Sequence, residues 1–138
     1  MPVLEADFLK GIIDPQDRLH QACVNALKKI QERKWVVSSS AFLELDLLLK
    51  QAGASLDERF EVFEALKIEI RADLIVGVSP PVMSQAIRLQ RRYRDIRDFY
   101  FDSIHLAIAI RHDGVIVSSD RAFDQVVEVR RIPLSEVT

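Results

Sequence analysis

The sequence has little of what would indicate a disulfide scaffold, a thiolate metal site or a membrane span. Cys23 is the single cysteine in 138 residues, which excludes an intramolecular disulfide and a Cys-x-x-Cys metal site. No apolar run approaches the roughly 20 residues that cross a bilayer. No basic stretch followed by an apolar run marks a signal peptide. We therefore expect a cytoplasmic protein that does not bind a membrane.

A strong net charge is also missing. The formal net charge is −2, so no global field draws the chain toward nucleic acid, and nucleic-acid binding would require a local basic patch. Apolar residues make up 49% of the chain and charged residues 29%, which is typical of globular proteins. No linker or internal repeat divides the sequence, and we expect residues 1–138 to form one domain.

Short apolar segments alternate with segments of helical periodicity. The predicted strands are residues 3–4, 35–37, 74–78, 115–117 and 127–129. Predicted helices cover residues 8–13, 41–52 and 101–111, and others begin at Asp14-Pro15, at a capping box on Ser55 and at Ser79-Pro80. This alternation favours a three-layer α/β/α fold with a central parallel sheet. Ligands bind such sheets at the carboxyl ends of the strands.

Carboxylates distant in sequence are expected to meet at that edge. Each follows a predicted strand or lies near the start of a helix that faces the same edge: Glu5, Glu44, Asp102 and Asp120. Asp7 and Asp124 are close enough in sequence to join or support them. Taken singly, each of these acids could instead cap a helix, close a turn or remain solvated.

Glu44 and Asp102 lie in unusually apolar surroundings. Leu43 and Leu45 flank the first, and Phe101 and Ile104 adjoin the second. An ionised carboxylate near a core is costly unless it is paired, and like charges raise one another's pKa. A divalent cation with oxygen ligands removes both conflicts. Carboxylates without accompanying His or Cys favour Mg²⁺ or Mn²⁺.

Four short motifs, in order, resemble those of PIN-domain nucleases, including the VapC-like toxins of toxin–antitoxin pairs. They are EADFL at 5–9, SSAFLEL at 39–45, FDSIHLA at 101–107 and VSSDRAF at 117–123. Glu5 stands where the family usually has Asp, and Asp7 stands where it has Asn or Ser. The first metal ligand is therefore Glu5 or Asp7, and we favour Glu5, with Asp7 in support.

The resemblance implies a function as well as a fold. It identifies Glu5, Glu44, Asp102 and Asp120 as metal-binding catalytic acids, with Ser118 or Ser119 orienting a ligand. The implied reaction is Mg²⁺- or Mn²⁺-dependent endonucleolytic hydrolysis of single-stranded RNA. A toxin of this kind would have an antitoxin protein as partner, and we expect a homodimer.

Other interpretations of the basic residues, and other functions, remain open. Arg88, Arg91, Arg92 and Arg121 could contact RNA phosphates or form a solvated surface. His105 is expected to be a buried, hydrogen-bonded residue and not a catalytic base. The alternatives to a nuclease are a catalytically silent PIN-like module that binds RNA or protein, and a phosphatase resembling haloacid dehalogenases. Glu5 argues against the phosphatase because that enzyme requires an aspartyl nucleophile.

Overall fold

The computed structural model describes residues 1–138 and centres on a parallel sheet. Its strands are β1 (Val3–Leu4), β2 (Val36–Ser38), β3 (Ile75–Val76), β4 (Val115–Ser118) and β5 (Arg130–Pro133). Their order across the sheet is β3-β2-β1-β4-β5, and every pair is parallel. β1 lies in the middle, with Leu4 opposite Val37 on one side and Val117 on the other. The predicted central parallel sheet is confirmed.

Helices connect the strands and cover the sheet. They are α1 (Ala6–Ile13), α2 (His20–Gln31), α3 (Ser40–Gln51), α4 (Leu56–Glu69), α5 (Pro80–Arg92), α6 (Arg94–Arg97) and α7 (Tyr100–Ile110). α1 packs against α2 and α3, and α7 packs against α3 and α5. This arrangement is the predicted α/β/α fold. None of the helices is both long and apolar enough to cross a membrane.

The core lies between the central strands and their helices. Val3, Leu4, Ile116 and Val117 have no exposed surface, as expected for parallel strands covered on both faces. In α7 every residue from 103 to 109 is buried, as expected for a helix that is apolar on nearly every side. The predicted capping box also forms, because Ser55 and Glu58 exchange side-chain-to-backbone hydrogen bonds at the start of α4.

The helix predicted to begin at Asp14-Pro15 begins later, at His20. Asp14 Oδ1 accepts a hydrogen bond from Gln16 N, and Asp17 Oδ1 accepts one from Leu19 N. These local bonds favour successive turns over a helix. The resulting loop lies beside the carboxyl edge of the sheet.

Two strand predictions were also wrong in position. The segment predicted as a doubly covered strand at 74–78 contains only the two-residue edge strand β3, preceded by a 3₁₀ turn at Ala72–Leu74. The last strand is Arg130–Pro133 and not 127–129. Val127 is 80% exposed, and the hydrogen bonds between β4 and β5 begin where Arg130 N donates to Gly114 O. Pro133 is tolerated there since β5 is an edge strand.

Candidate active site

The predicted acids lie around the carboxyl edge of β1 and β4. Glu5 directly follows β1, and Asp120 lies just beyond Ser118, the last residue of β4. Glu44 is in the second turn of α3, and Asp102 is in the first turn of α7. Four separate elements thus supply these side chains.

Electrostatic effects show that the carboxylates influence one another. The pKa of Asp102 is raised from its ordinary 3.8 to about 7, first by burial and then by the negative charges of Glu44, Asp120 and Asp7. Repulsion of this kind requires short separations in a region poor in solvent. The site therefore concentrates negative charge from several parts of the chain.

Glu5 is the most enclosed of these acids. Only 5% of the residue is exposed, and its pKa is raised well above the ordinary value, chiefly by burial and next by the charge of Asp7. Its Oε1 also accepts a hydrogen bond from Asp7 N at 2.7 Å and so caps α1. The bond opposes the rise in pKa but does not cancel it.

Asp7 is held by the end of β4. Its Oδ2 accepts hydrogen bonds from Ser119 N and Ser119 Oγ, both at 2.6 Å, and from Ser118 Oγ at 3.4 Å. Its Oδ1 is buried and has no hydrogen-bond partner. Every other buried side-chain oxygen or nitrogen in the chain has one. A buried carboxylate oxygen without a partner is costly and marks a position where a cation would be stabilised. The two serines named from the sequence therefore contact Asp7.

Glu44 is bound to His105, a contact that the sequence did not reveal. Nε2 of His105 donates to Glu44 Oε1 at 2.9 Å. Nδ1 of the same ring lies 2.8 Å from Ser38 Oγ and 3.2 Å from Ser40 Oγ. His105 is completely buried, so the prediction of a buried, hydrogen-bonded histidine is confirmed.

Asp120 and Asp124 differ in their surroundings. Asp120 is exposed, and its Oδ1 accepts from Ala122 N at 2.9 Å, which caps the 3₁₀ turn Arg121–Gln125. Asp124 forms a two-bond pair with Arg131, with Nε–Oδ1 at 2.8 Å and Nη2–Oδ2 at 3.0 Å. The guanidinium of Arg131 lowers the pKa of Asp124. Asp124 is thus already neutralised and stands apart from the other acids.

Arg131 was not identified from the sequence. Its Nη1 also donates to Ser118 O at 2.9 Å, so it joins β5 to the end of β4. No local pattern signals this role, because the contact depends on the parallel pairing of two strands separated by a turn.

The predicted basic residues do not form one patch. Arg88 and Arg91 are exposed on α5, and Arg92 pairs with Glu128 at 2.7 Å. Arg121 is exposed and lines a cavity of about 460 Å³ together with Ser119 and Arg18. Of the predicted set, Arg121 is the one placed in a cavity beside the carboxylates.

The donors at this edge are suited to a hard divalent cation. They are carboxylate oxygens, and the nearest histidine is engaged with Glu44 on one side and serines on the other. The unpaired Oδ1 of Asp7 is a further indication. No group of three or more His, Cys, Asp or Glu side chains is, however, arranged closely enough to hold a metal ion in this structure. The residue types fit such an ion, and their placement does not yet form a coordination sphere.

Comparison with known proteins gives a consistent result. The family model described as the PIN domain matches residues 8–129. FitAcB from Neisseria gonorrhoeae has a similar solved structure, with a TM-score of 0.74 and 17% identity over 99% of each chain. A structure of FitAB bound to an IR36 DNA fragment has a TM-score of 0.71 and 16% identity, covering 100% of this chain and 98% of that one. Curated protein sequences gave no match. At these identities the solved structures establish similarity of fold alone.

Proposed function

Because the chain belongs to the PIN-domain family, whose members are usually nucleases, we propose that it is an endoribonuclease dependent on Mg²⁺ or Mn²⁺. Its substrate would be single-stranded RNA, cleaved by hydrolysis of a phosphodiester bond. The observation that carries this proposal is the pKa of Asp102, which is raised to about 7 first by burial and then by the negative charges of Glu44, Asp120 and Asp7. Perturbed carboxyl groups gathered at the edge of a parallel sheet are characteristic of catalytic sites.

The residues that would hold the cation are Glu44, Asp102, Asp120 and one or both of Glu5 and Asp7. When bound, a divalent ion polarises a phosphoryl oxygen and makes a water molecule more acidic. The protein's own contribution would be to fix the carboxylates and exclude solvent on the β1 side, where Glu5 is buried. The serines at the end of β4 would hold Asp7 with its unpaired Oδ1 available.

Glu5 and Asp7 can be separated as ligands by conservative amides. Glu5→Gln and Asp7→Asn each remove one negative charge and keep a similar shape. The asparagine oxygen at position 7 can still accept from Ser119 N. We expect the variant that loses a ligand to bind Mn²⁺ about 10-fold or more weakly, measured by calorimetry. Equal weakening in both variants would assign both side chains to the cation.

We further propose that the RNA backbone lies along two polar cavities next to the acids. One, of about 440 Å³, is lined by Asp7, Lys10, Arg18 and Ser119 among others. The second, of about 460 Å³, shares Arg18 and Ser119 with the first and adds Arg121. Lys10, Arg18 and Arg121 form no salt bridge within the chain. The basic groups that do form one are the N-terminus of Met1, Arg33, Lys34, Arg59, Lys67, Arg71, Arg92, His105 and Arg131. The charges of Lys10, Arg18 and Arg121 are therefore available for phosphates.

A toxin role would require a protein partner, and the apolar surface of α3 and α4 supports one. Large apolar side chains are exposed there: Leu43 (65%), Leu47 (44%), Leu56 (78%) and Phe60 (65%). Several of them line a cavity of about 620 Å³. An exposed apolar patch of this kind indicates a surface buried by another chain. The predicted homodimer and antitoxin are its two candidates, which light scattering of the protein alone and with the product of a neighbouring gene would distinguish.

The decisive experiment is a cleavage assay on labelled single-stranded RNA. We expect cleavage with Mg²⁺ or Mn²⁺, none with EDTA, and none for Asp102→Asn. Asp95→Asn, an exposed acid on α6, is the matched control and should cleave like the wild type. Cleavage that persists in EDTA would refute the metal-dependent mechanism.

The same assay separates the alternatives. RNA binding in EDTA without cleavage when metal is restored would indicate the catalytically silent module. Hydrolysis of a small phosphomonoester in place of RNA would indicate a phosphatase of the haloacid dehalogenase type, which the family membership disfavours. That residues 1–138 form one domain stays a prediction.

A further inference from the structure

The ring of His105, on α7, faces the end of β2 and the start of α3, where it contacts Ser38, Ser40 and Glu44. It has no exposed surface, and its two ring nitrogens contact groups from different parts of the chain. On one side is the Oε1 of Glu44, which is an acceptor only. Nε2 must therefore carry the hydrogen of that bond. On the other side Nδ1 is within hydrogen-bonding distance of two serine hydroxyls.

The serines fix the ring. Ser38 ends β2, Ser40 begins α3, and their Oγ atoms are 3.0 Å apart. A hydroxyl can donate to Nδ1 while the second hydroxyl donates to the first, so both ring nitrogens and both hydroxyls have partners in a buried region. Such fully paired networks hold a side chain in one orientation.

Glu44 itself has no other restraint. Its side chain is 21% exposed, and its single hydrogen bond is the one to His105. The Oε2 atom accepts no hydrogen bond and is left for another ligand. The negative charge of Glu44 nevertheless raises the pKa values of Glu5 and Asp102, which places the carboxylate among the other acids.

We propose that His105 is a positioning residue: Nε2 holds Oε1 of Glu44 and so keeps Oε2, which has no hydrogen-bond partner, available to a divalent cation. This inference rests on the proposed function, because it assumes that Glu44 is a ligand. A hydrogen-bonded partner behind a metal ligand typically contributes a factor of about 10 to 100 in metal affinity. The serines would act through the ring by keeping Nε2 aimed at Glu44.

Two amide substitutions test separately the bond of Nε2 to Glu44 and the contact of Nδ1 with the serines. His105→Gln places an amide nitrogen near the position of Nε2 and can still donate to Glu44, but it leaves the serines without Nδ1. His105→Asn places its amide near Nδ1, so it retains a partner for the serines and loses the bond to Glu44. Both variants remove one side of the same buried network, and both are expected to be less stable than the wild type.

The test is the Mn²⁺ dissociation constant of each full-length variant, measured by calorimetry under conditions in which urea denaturation shows it to be folded. We expect His105→Asn to bind Mn²⁺ about 10- to 100-fold more weakly than the wild type and His105→Gln to lose less than about 10-fold. In the cleavage assay the Mn²⁺ concentration for half-maximal rate should rise in the same order.

Other results would overturn the inference. If the two variants bind Mn²⁺ equally, whether tightly or weakly, His105 has only a structural role and the positioning function is wrong. If the wild type binds no Mn²⁺, both this inference and the proposed function fail. If the variants differ in Mn²⁺ affinity as expected while no RNA is cleaved, the positioning function stands and the proposed nuclease activity alone fails.

Discussion

Asp102→Asn should stabilise the protein at alkaline pH in the absence of divalent ions, although it removes a proposed catalytic residue. The carboxyl of Asp102 has a pKa of about 7 in the folded chain, against an ordinary value of 3.8. A group with a raised pKa binds its proton more tightly in the folded state than in the unfolded state. Stability from this group is therefore present at low pH and is lost as the pH rises from about 4 to about 7.

The size of the effect follows from the difference in pKa. One pKa unit corresponds to about 1.4 kcal/mol, so the full difference would be about 4 kcal/mol. Asp102 is partly accessible to solvent, and screening reduces this value to about 2 kcal/mol. At pH 8 in EDTA we expect the free energy of unfolding of Asp102→Asn to exceed that of the wild type by this amount. At pH 4 the two proteins should be nearly equal.

The assay is urea denaturation at several pH values, with and without Mg²⁺. Asp124→Asn is the matched control because its carboxyl has a lowered pKa through Arg131, so the same substitution should not stabilise the protein at pH 8. Added Mg²⁺ should stabilise the wild type more than Asp102→Asn. If Asp102→Asn is no more stable than the wild type at pH 8, the carboxyl of Asp102 is not buried beside the other carboxylates and the reasoning is refuted.

Three further outcomes are expected. His105→Leu should lower the free energy of unfolding by about 2 to 3 kcal/mol in urea denaturation, because Glu44 and two buried hydroxyls lose their partner; an unchanged value would contradict the network. Gly11→Ala should cost about 1 to 3 kcal/mol, since the added Cβ would overlap Cys23 Sγ, and Cys23→Ala in the same chain should recover part of the loss in a double-mutant cycle. The double substitution Arg18→Gln and Arg121→Gln should reduce the slope of log affinity for single-stranded RNA against log salt concentration by about 1.4. The double substitution Arg88→Gln and Arg91→Gln removes the same charge and is the control. If both double variants have the same slope, the RNA does not follow the two cavities.

The sequence predicted the central part of the fold well and its edges poorly. β1 and β4 are short apolar runs in the middle of the sheet, and α7 is a longer segment that is apolar on nearly every side, so apolar content and length predicted them. β3 and β5 are edge strands with weak patterns, and their positions depend on turns that local hydrogen bonds decide. The loop at 14–19 was read as a helix because Asp and Pro favour both a helix start and a turn.

The candidate site divides in the same way. The placement of Glu5, Asp102 and Asp120 at one edge of the sheet was predictable. Each follows a strand or begins a helix, and parallel strands bring their carboxyl ends to one edge. The hydrogen bonds from Ser118 and Ser119 to Asp7 were not predicted, because the resemblance implied only that these serines orient a ligand.

What the sequence determined by itself was the chemistry available: carboxylates in apolar surroundings, without cysteine or histidine ligands of their own. Tertiary structure alone decided which partners those carboxylates have. Asp124 is neutralised by Arg131, while Glu44 is tied to His105, 61 residues away. The reason is physical. Hydrogen bonds and charge repulsion act over a few ångströms in space, and only the folded sheet brings such distant residues within that range.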